Sequence, residues 1–407
     1  MQRNPIMNKH RQLLLTYPAR KKTHWHRAMA CALAALTAAM SCMAANVVER
    51  NGPIRVGAVS SLSGPAQFPE SSAAVRALFD AVNADGGIRG RRLELVVEDD
   101  RGDPAQAIRA ARRLVDEQHV VALVGSASIV DCASNAAYYE QANVMSLQGT
   151  GIEPACFTSS HVVPVNTGPY LATRNALQFT RTLGSKRPCA FILDLPGTRS
   201  AYQSVLAAWS AQSGVAIAHT VHFNPSDGAA ALVRQAVDKR CDSVVHTGVE
   251  PFVLQWVRAV QQMSVLAGVP TVFLTPAYTE RVATELRGSV LPIYCMAEFE
   301  PWSSRSMSLT DWRAMMRRGK VPMSSFSQGG YVAAQVFLRL LRDMEGEITR
   351  ERVAHALRAV SGMQLSMIGT PFSVGSGGAH NPNRAALPMR LEQGSWRIAS
   401  PFWVVAP

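Results

Sequence analysis

Short apolar runs of β-type composition recur through residues 54–297, each separated from the next by a stretch of helical periodicity. The first series covers residues 54–59, 93–97, 120–124 and 143–147. A second covers 190–195, 215–223, 243–247, 271–274 and 291–297. Between them lie amphipathic segments such as 200–213 and 251–265. Strands alternating with helices have to form parallel sheets, because a crossover helix must return the chain to the same edge before the next strand starts. Two series predict two sheets, each covered by helices on both faces. The expected class is α/β, with two doubly wound parallel-sheet lobes.

The stretch NADGGIRGRRLELVVEDDRGDP, residues 83–104, shows how one such unit is punctuated. Val75, Leu78, Phe79 and Val82 fall on one helical face, and Gly86-Gly87 supply the left-handed backbone that ends a helix. Asp103-Pro104 with Gln106 reads as a helix start, with the carboxylate capping free N–H groups and proline at the first helical position. Asp99 and Asp100 end a strand. A metal role for these carboxylates is the competing reading.

The 407-residue chain is long enough for two full cores. Its formal charge of +12 suggests an acidic partner, but Arg3, Lys9, Arg11, Arg20, Lys21, Lys22 and Arg27 supply seven of those charges before residue 28. The rest are scattered, with no basic stripe interleaved with aromatics, so nucleic acid is not an expected partner. The basic N-terminus runs into AMACALAALTAAM, an uncharged stretch of signal-peptide rather than membrane-span length, and then into small residues. Residues 1–45 are the expected signal peptide and the expected location is the periplasm. Cys42 is an alternative lipid attachment site. Export makes disulfides the natural state of Cys132, Cys156, Cys189, Cys241 and Cys295, which show no metal-type spacing.

In open α/β sheets, ligands bind at the carboxyl ends of the strands. Here those ends carry SSLSGPAQFPES (60–71), GSASIVD (125–131) and QGTG (148–151) in the first series. The second carries PGTRSAY (196–202), GVEP (248–251) and TPAYTE (275–280). They are rich in hydroxyls and in glycines, which admit close backbone approach. Two facing sets predict a cleft. Motifs for serine and zinc hydrolases and for P-loop nucleotide hydrolysis are missing, so no enzyme, metal or cofactor is expected.

The ordered set SLSGP, NADGGIRGRRLELVVEDDRGDP and VVALVGSAS, followed by FSQGGYVAAQVF (326–337) and AHNPNRAALPMRLEQGSWRI (379–398), resembles the leucine/isoleucine/valine-type periplasmic solute-binding proteins of ABC importers. The resemblance implies the type I fold, with two lobes joined by a three-strand hinge: residues 52–166 with 299–378, and 167–298 with 379–407. It also implies a ligand carboxylate at Ser126 and Ser128, a head group at Gly149 and Thr150, and an aromatic cover from Phe68. Phe326 lies where the family often has an aromatic near the cleft. In the second lobe Glu250 and Tyr278 stand just past strand ends. The family's amino-acid binders often place an acid within the stretch matching 275–278, yet no acid occurs here until Glu280. Within this frame Cys132 and Cys156 share the first lobe. Cys189 and Cys241 precede strands that neighbour each other in a 2-1-3-4-5 sheet, so these are the expected disulfides, with Cys295 free.

The implied function is an exported, monomeric receptor that closes on a small carboxylate-bearing solute, branched-chain amino acid-like or an aliphatic or aromatic acid, and delivers it to a membrane permease. A ligand sensor of the same fold is the alternative, and an extracytoplasmic enzyme a third.

Overall fold

The computed structural model describes residues 52–64, 66–375, 380 and 382–406. The expected signal peptide and Cys42 lie outside the described residues. The first lobe runs β1 (Ile54–Ser60), α1 (Pro69–Ala84), β2 (Leu93–Asp99), α2 (Pro104–Arg112), β3 (Leu123–Ala127), α3 (Asp131–Gln141), β4 (Ser146–Thr150) and β5 (Val162–Pro164). The second follows with α4 (Pro169–Thr182), β6 (Pro188–Leu193), α5 (Arg199–Ser213), β7 (His219–Phe223), α6 (Ala229–Asp238), β8 (Ser243–His246), α7 (Glu250–Met263), β9 (Thr271–Phe273), α8 (Glu280–Glu285) and β10 (Ile293–Ala297). The chain then enters α9 (Thr310–Gly319), α10 (Ser325–Asp343) and α11 (Arg350–Arg358), and ends in β11 (Leu387–Glu392) and β12 (Ser395–Ile398). No helix among the described residues is long and apolar enough to cross a membrane.

The first sheet has the order β2-β1-β3-β4-β5, all parallel. The second has the order β12-β11-β10-β9-β8-β6-β7 and is mixed, because β11 and β12 add an antiparallel edge to the parallel strands. Strand interiors are buried on both faces, as parallel sheets require. Along β6, Cys189, Phe191 and Leu193 join one apolar cluster, while Ala190 and Ile192 join the other. His246 on β8 is packed among Phe191, Phe223, Trp256 and Phe273. Burial pushes its imidazole down to about 3, so it stays neutral, and its Nδ1 accepts from the Gly248 amide at 3.0 Å.

The punctuation of the first unit is as the residues suggest. Gly86 and Gly87 take φ of 99° and 76° after α1. The Asp103 carboxylate accepts from the Gln106 amide at 2.8 Å at the start of α2. Although late in the chain, α10 packs against α1, β3 and β4 of the first sheet. Gly329 and Gly330 permit that approach: a Cβ there would lie 2.1 Å from the Gly149 carbonyl and 2.0 Å from the Ser71 carbonyl.

The chain therefore crosses between the sheets three times: from β5 to α4, from β10 to α9, and from α11 to β11. Disulfides join Cys132 to Cys156 and Cys189 to Cys241, while Cys295 is free and buried. Burial pushes the Cys295 thiol well above its ordinary value, leaving it a packing residue.

Candidate functional site

The carboxyl edge of the first sheet is organised by hydrogen bonds whose acceptors are mostly supplied by the chain itself. Asp99 and Asp100 hold the loop after β1. The Ser63 hydroxyl donates to Asp99 at 2.6 Å, the Leu62 amide to Asp99 at 3.0 Å, and the Ser61 hydroxyl to Asp100 at 2.7 Å. These donors favour the charged form and hold the Asp99 carboxyl below its usual value, against a partial loss of solvent. The metal reading of these aspartates is replaced by a loop-anchoring one.

Ser126 is fully buried, and its Oγ accepts from the Val59 amide at 3.1 Å. The β1–β3 pairing is irregular at this point. A bulge removes a ladder acceptor, and the side chain replaces it. The Ser128 Oγ accepts from the Val130 and Asp131 amides, both at 3.0 Å, at the start of α3. The next free amides of that helix are also taken. Glu153 accepts from Ala133 at 3.1 Å and from Cys132. The helix N-terminus is thus filled by the protein's own oxygens, while the Ser126 and Ser128 hydroxyls act as acceptors in these bonds and each keeps a proton to donate.

Glu153 is pushed up to about 7, first by burial, with Asp131 and Asp100 adding repulsion and the amides opposing it. Asp131 is fully buried below it and accepts from Asn135 at 2.8 Å, Tyr139 at 2.7 Å and Gln148 at 2.8 Å. Burial outweighs these donors and raises its pKa. A Glu153 carboxylate oxygen and the sulfurs of Cys132 and Cys156 lie within 4.8 Å of one another. The sulfurs are bonded together, so the trio lacks thiolate ligands.

Close packing requires glycine at 149, since a Cβ there would lie 2.1 Å from Ser71 Oγ and 3.1 Å from the Gly330 amide nitrogen. Thr150 differs from its neighbours. It is 8% exposed, and no partner for its hydroxyl occurs among the described residues. The following Gly151 is clamped by Asn166, which accepts its amide at 2.8 Å and donates to its carbonyl at 3.1 Å. Phe68 and Phe326, both half-buried, meet with ring centroids 5.0 Å apart, so the loop after β1 and the start of α10 share an aromatic contact.

In the second lobe, Glu250 accepts from the Thr279 hydroxyl at 2.8 Å and pairs with Arg281 at 3.1 Å. Tyr278 is 1% exposed, its hydroxyl 2.7 Å from Ser303 Oγ and its ring 4.7 Å from that of Trp302. Glu250 is thus bonded within its own lobe, whereas the Tyr278 side chain meets Ser303 and Trp302, which follow the second crossover. Arg199 pairs with Asp194, which anchors it at the start of α5.

Three residues outside the sequence-based set shape the region between the lobes. Tyr170 on α4 donates to the Ile152 carbonyl at 3.1 Å, and its ring lies 4.9 Å from that of Tyr202. Asn166 clamps Gly151. Glu298 accepts from the Gly168 amide at 2.8 Å. Their only sequence signal is their place at strand ends and crossovers.

The comparisons with known proteins agree on this architecture. The Leu/Ile/Val-binding protein of Escherichia coli K12 is 30% identical over 136 residues, which is 32% of this chain and 32% of that protein. The match thus spans about a third of that curated relative's length. A solved branched-chain amino acid ABC transporter protein from Thermus thermophilus, with bound valine, superposes with a TM-score of 0.74 at 13% identity, over 86% of this chain and 96% of that one. A solute-binding protein of an ABC transporter from Rhodopseudomonas palustris HaA2, in complex with p-hydroxybenzoic acid, gives 0.72 at 16% identity, over 87% and 97%. At such identities these likenesses establish the fold. A family model described as "periplasmic binding protein" matches residues 53–395, a span that holds both sheets up to the first residue of β12, all three crossovers and every strand-end loop described above. On that match, the chain belongs to the periplasmic binding protein family.

Proposed function

We propose that this protein is an extracytoplasmic receptor of an ABC importer that takes a small carboxylate-bearing solute between its lobes and hands it to a membrane permease. Residues 52–166 with 299–378 make one lobe in this reading, and 167–298 with 379–407 the other. The observation that carries it is the family match over both lobes, together with an unpartnered Thr150 hydroxyl at the carboxyl edge of the first sheet. Neighbours of the same fold hold valine and p-hydroxybenzoic acid. Selectivity in such a cleft comes from a few placed donors on apolar walls, and closure from contacts to both lobes. Phe68 and Phe326 offer the apolar wall. No step of this role needs catalysis.

The solute class follows from the acids. Glu250 is paired with Arg281, Glu153 is engaged with the α3 amides, and residues 275–278 contain no carboxylate. An ammonium entering the cleft loses its water and needs an acceptor. Carboxylic acids lacking the α-amino group are therefore the expected ligands, aromatic ones included. A thermal-shift screen followed by calorimetry tests this by pairing leucine with 4-methylpentanoate and phenylalanine with 3-phenylpropanoate. Amino acids binding tenfold tighter, about 1.4 kcal/mol, would overturn the class. No stabilisation by any small acid, amide or amino acid would count against the receptor reading itself.

Thr150→Val should weaken the identified solute by about 1–3 kcal/mol, because a buried charged group loses a donor. Stability without solute should hold, since this hydroxyl has no partner among the described residues. Unchanged affinity would move the site away from the end of β4.

A further inference from the structure

Glu298 follows β10 and opens the second crossover. It is 6% exposed. Its carboxyl accepts from the Gly168 amide of the first crossover at 2.8 Å, and it also meets the side chains of Asn166 and Thr275. Its own carbonyl accepts from the Asn383 amide group of the third crossover at 2.8 Å. One residue therefore touches every strand of the hinge. Asn166 extends the contact, since the same side chain clamps Gly151, the neighbour of Thr150.

We propose that Glu298 is a positioning residue that pins the three crossovers together and, through Asn166, holds the Thr150–Gly151 end of β4 in place. The pin works in its neutral form. The Thr275 hydroxyl already donates its one proton to the Met296 carbonyl at 2.6 Å. Its contact with Glu298 must then take a proton from the acid, and ionisation would set two oxygens against each other. Among the described residues, no cation shifts the acid. The groups facing the carboxyl are Asn166, Gly168 and Thr275, all neutral, with Thr167 and Asn383 beside them. Neither Glu300 nor Arg384, the nearest ionisable residues on these segments, shifts it. Burial raises its carboxyl from 4.5 to about 7, against the pull of the Gly168 and Asn166 donors.

The sign follows. The pinned form holds a proton that the water-exposed form releases at an ordinary carboxyl value. The preference for the pinned hinge is full below 4.5, is lost as pH rises to about 7, and is level above. Within that window the ratio of released to pinned hinge should rise by up to about tenfold per pH unit.

Hydrogen exchange at the Gly168 amide reads this directly in the full chain without solute. After correction for intrinsic exchange, its protection should fall by up to about tenfold per unit between pH 5 and 7, then stay flat to 8.5. Glu298→Gln keeps the acceptor for Gly168 and cannot ionise, so its protection should be flat throughout. A flat profile in the unmodified protein, or the same slope in E298Q, would overturn the proposal. If E298Q does not fold, Asn166→Ala carries the test. Loss of a donor to the carboxylate should move the upper break to higher pH, and an unmoved break overturns the pin. The measurement uses no solute, so its failure leaves the receptor reading standing.

Discussion

Replacing both Cys189 and Cys241 by alanine is expected to remove about 4 kcal/mol of folding stability, the loop-closure entropy that a cross-link over 52 residues takes from the unfolded chain. The bond joins the start of β6 to the turn before β8, strands that are neighbours in the second sheet. It therefore closes a loop around β7 and α6. Its Cα–Cα separation of 5.7 Å is within the ordinary range, so the fold needs no distortion to hold it. A fall in Tm of about 5–10 °C accompanies a loss of that size in a large domain. Denaturant titration of the double variant, beside the unmodified protein with and without reductant, gives the number. A loss under 1 kcal/mol would mean that the bond does not form in solution. Cys295 supplies the control, since Cys295 is buried and its thiol is held neutral, and it should resist alkylation until the protein unfolds.

Asp131→Ala should cost about 3–5 kcal/mol, because three buried donors lose their acceptor at once and each unsatisfied group costs about 1–3 kcal/mol. The donors are Asn135, Tyr139 and Gln148, reaching Asp131 from α3 and β4. Tyr139 and Gln148 are fully buried, so water cannot replace the carboxylate. Asp131→Asn retains one carbonyl acceptor and should cost clearly less. It also removes the penalty of ionising an acid whose pKa burial has raised. The ordering of the two variants in urea titrations is the check. Equal losses would show that packing volume, not hydrogen bonding, is what Asp131 supplies. The same network holds β4 against α3, so D131A should weaken solute binding as well.

The elements missed in the sequence share a cause. β5 has three residues, too few to show a period. β11 and β12 form an antiparallel edge at the end of a helical stretch, where the preceding alternation offers no precedent. The site was harder to read than the fold. Ser126, Ser128 and Gly149 sit on the strand-end loops where ligands bind, and each has the residue type a ligand would use. The fold also uses each of them: Ser126 accepts at a bulge, Ser128 accepts from the α3 amides, and α10 packs against Gly149. Glu250 and Tyr278 do follow their strands, and both side chains are hydrogen-bonded within the protein, to Thr279 and Ser303.

Local periodicity and helix caps are written in residues a few positions apart, so the chain by itself determined the α/β class and the Asp103 cap, while the 2-1-3-4-5 order and both disulfides were legible through the family resemblance. Which polar atoms remain free for a solute depends on partners far away in the chain. Val59 and Ser126 are 67 residues apart, Glu298 and Gly168 are 130 apart, and Glu298 and Asn383 are 85 apart. Only the tertiary structure brings those groups together, and among the described residues its hydrogen bonds engage Ser126, Ser128 and Gly151 and leave the Thr150 hydroxyl without a partner.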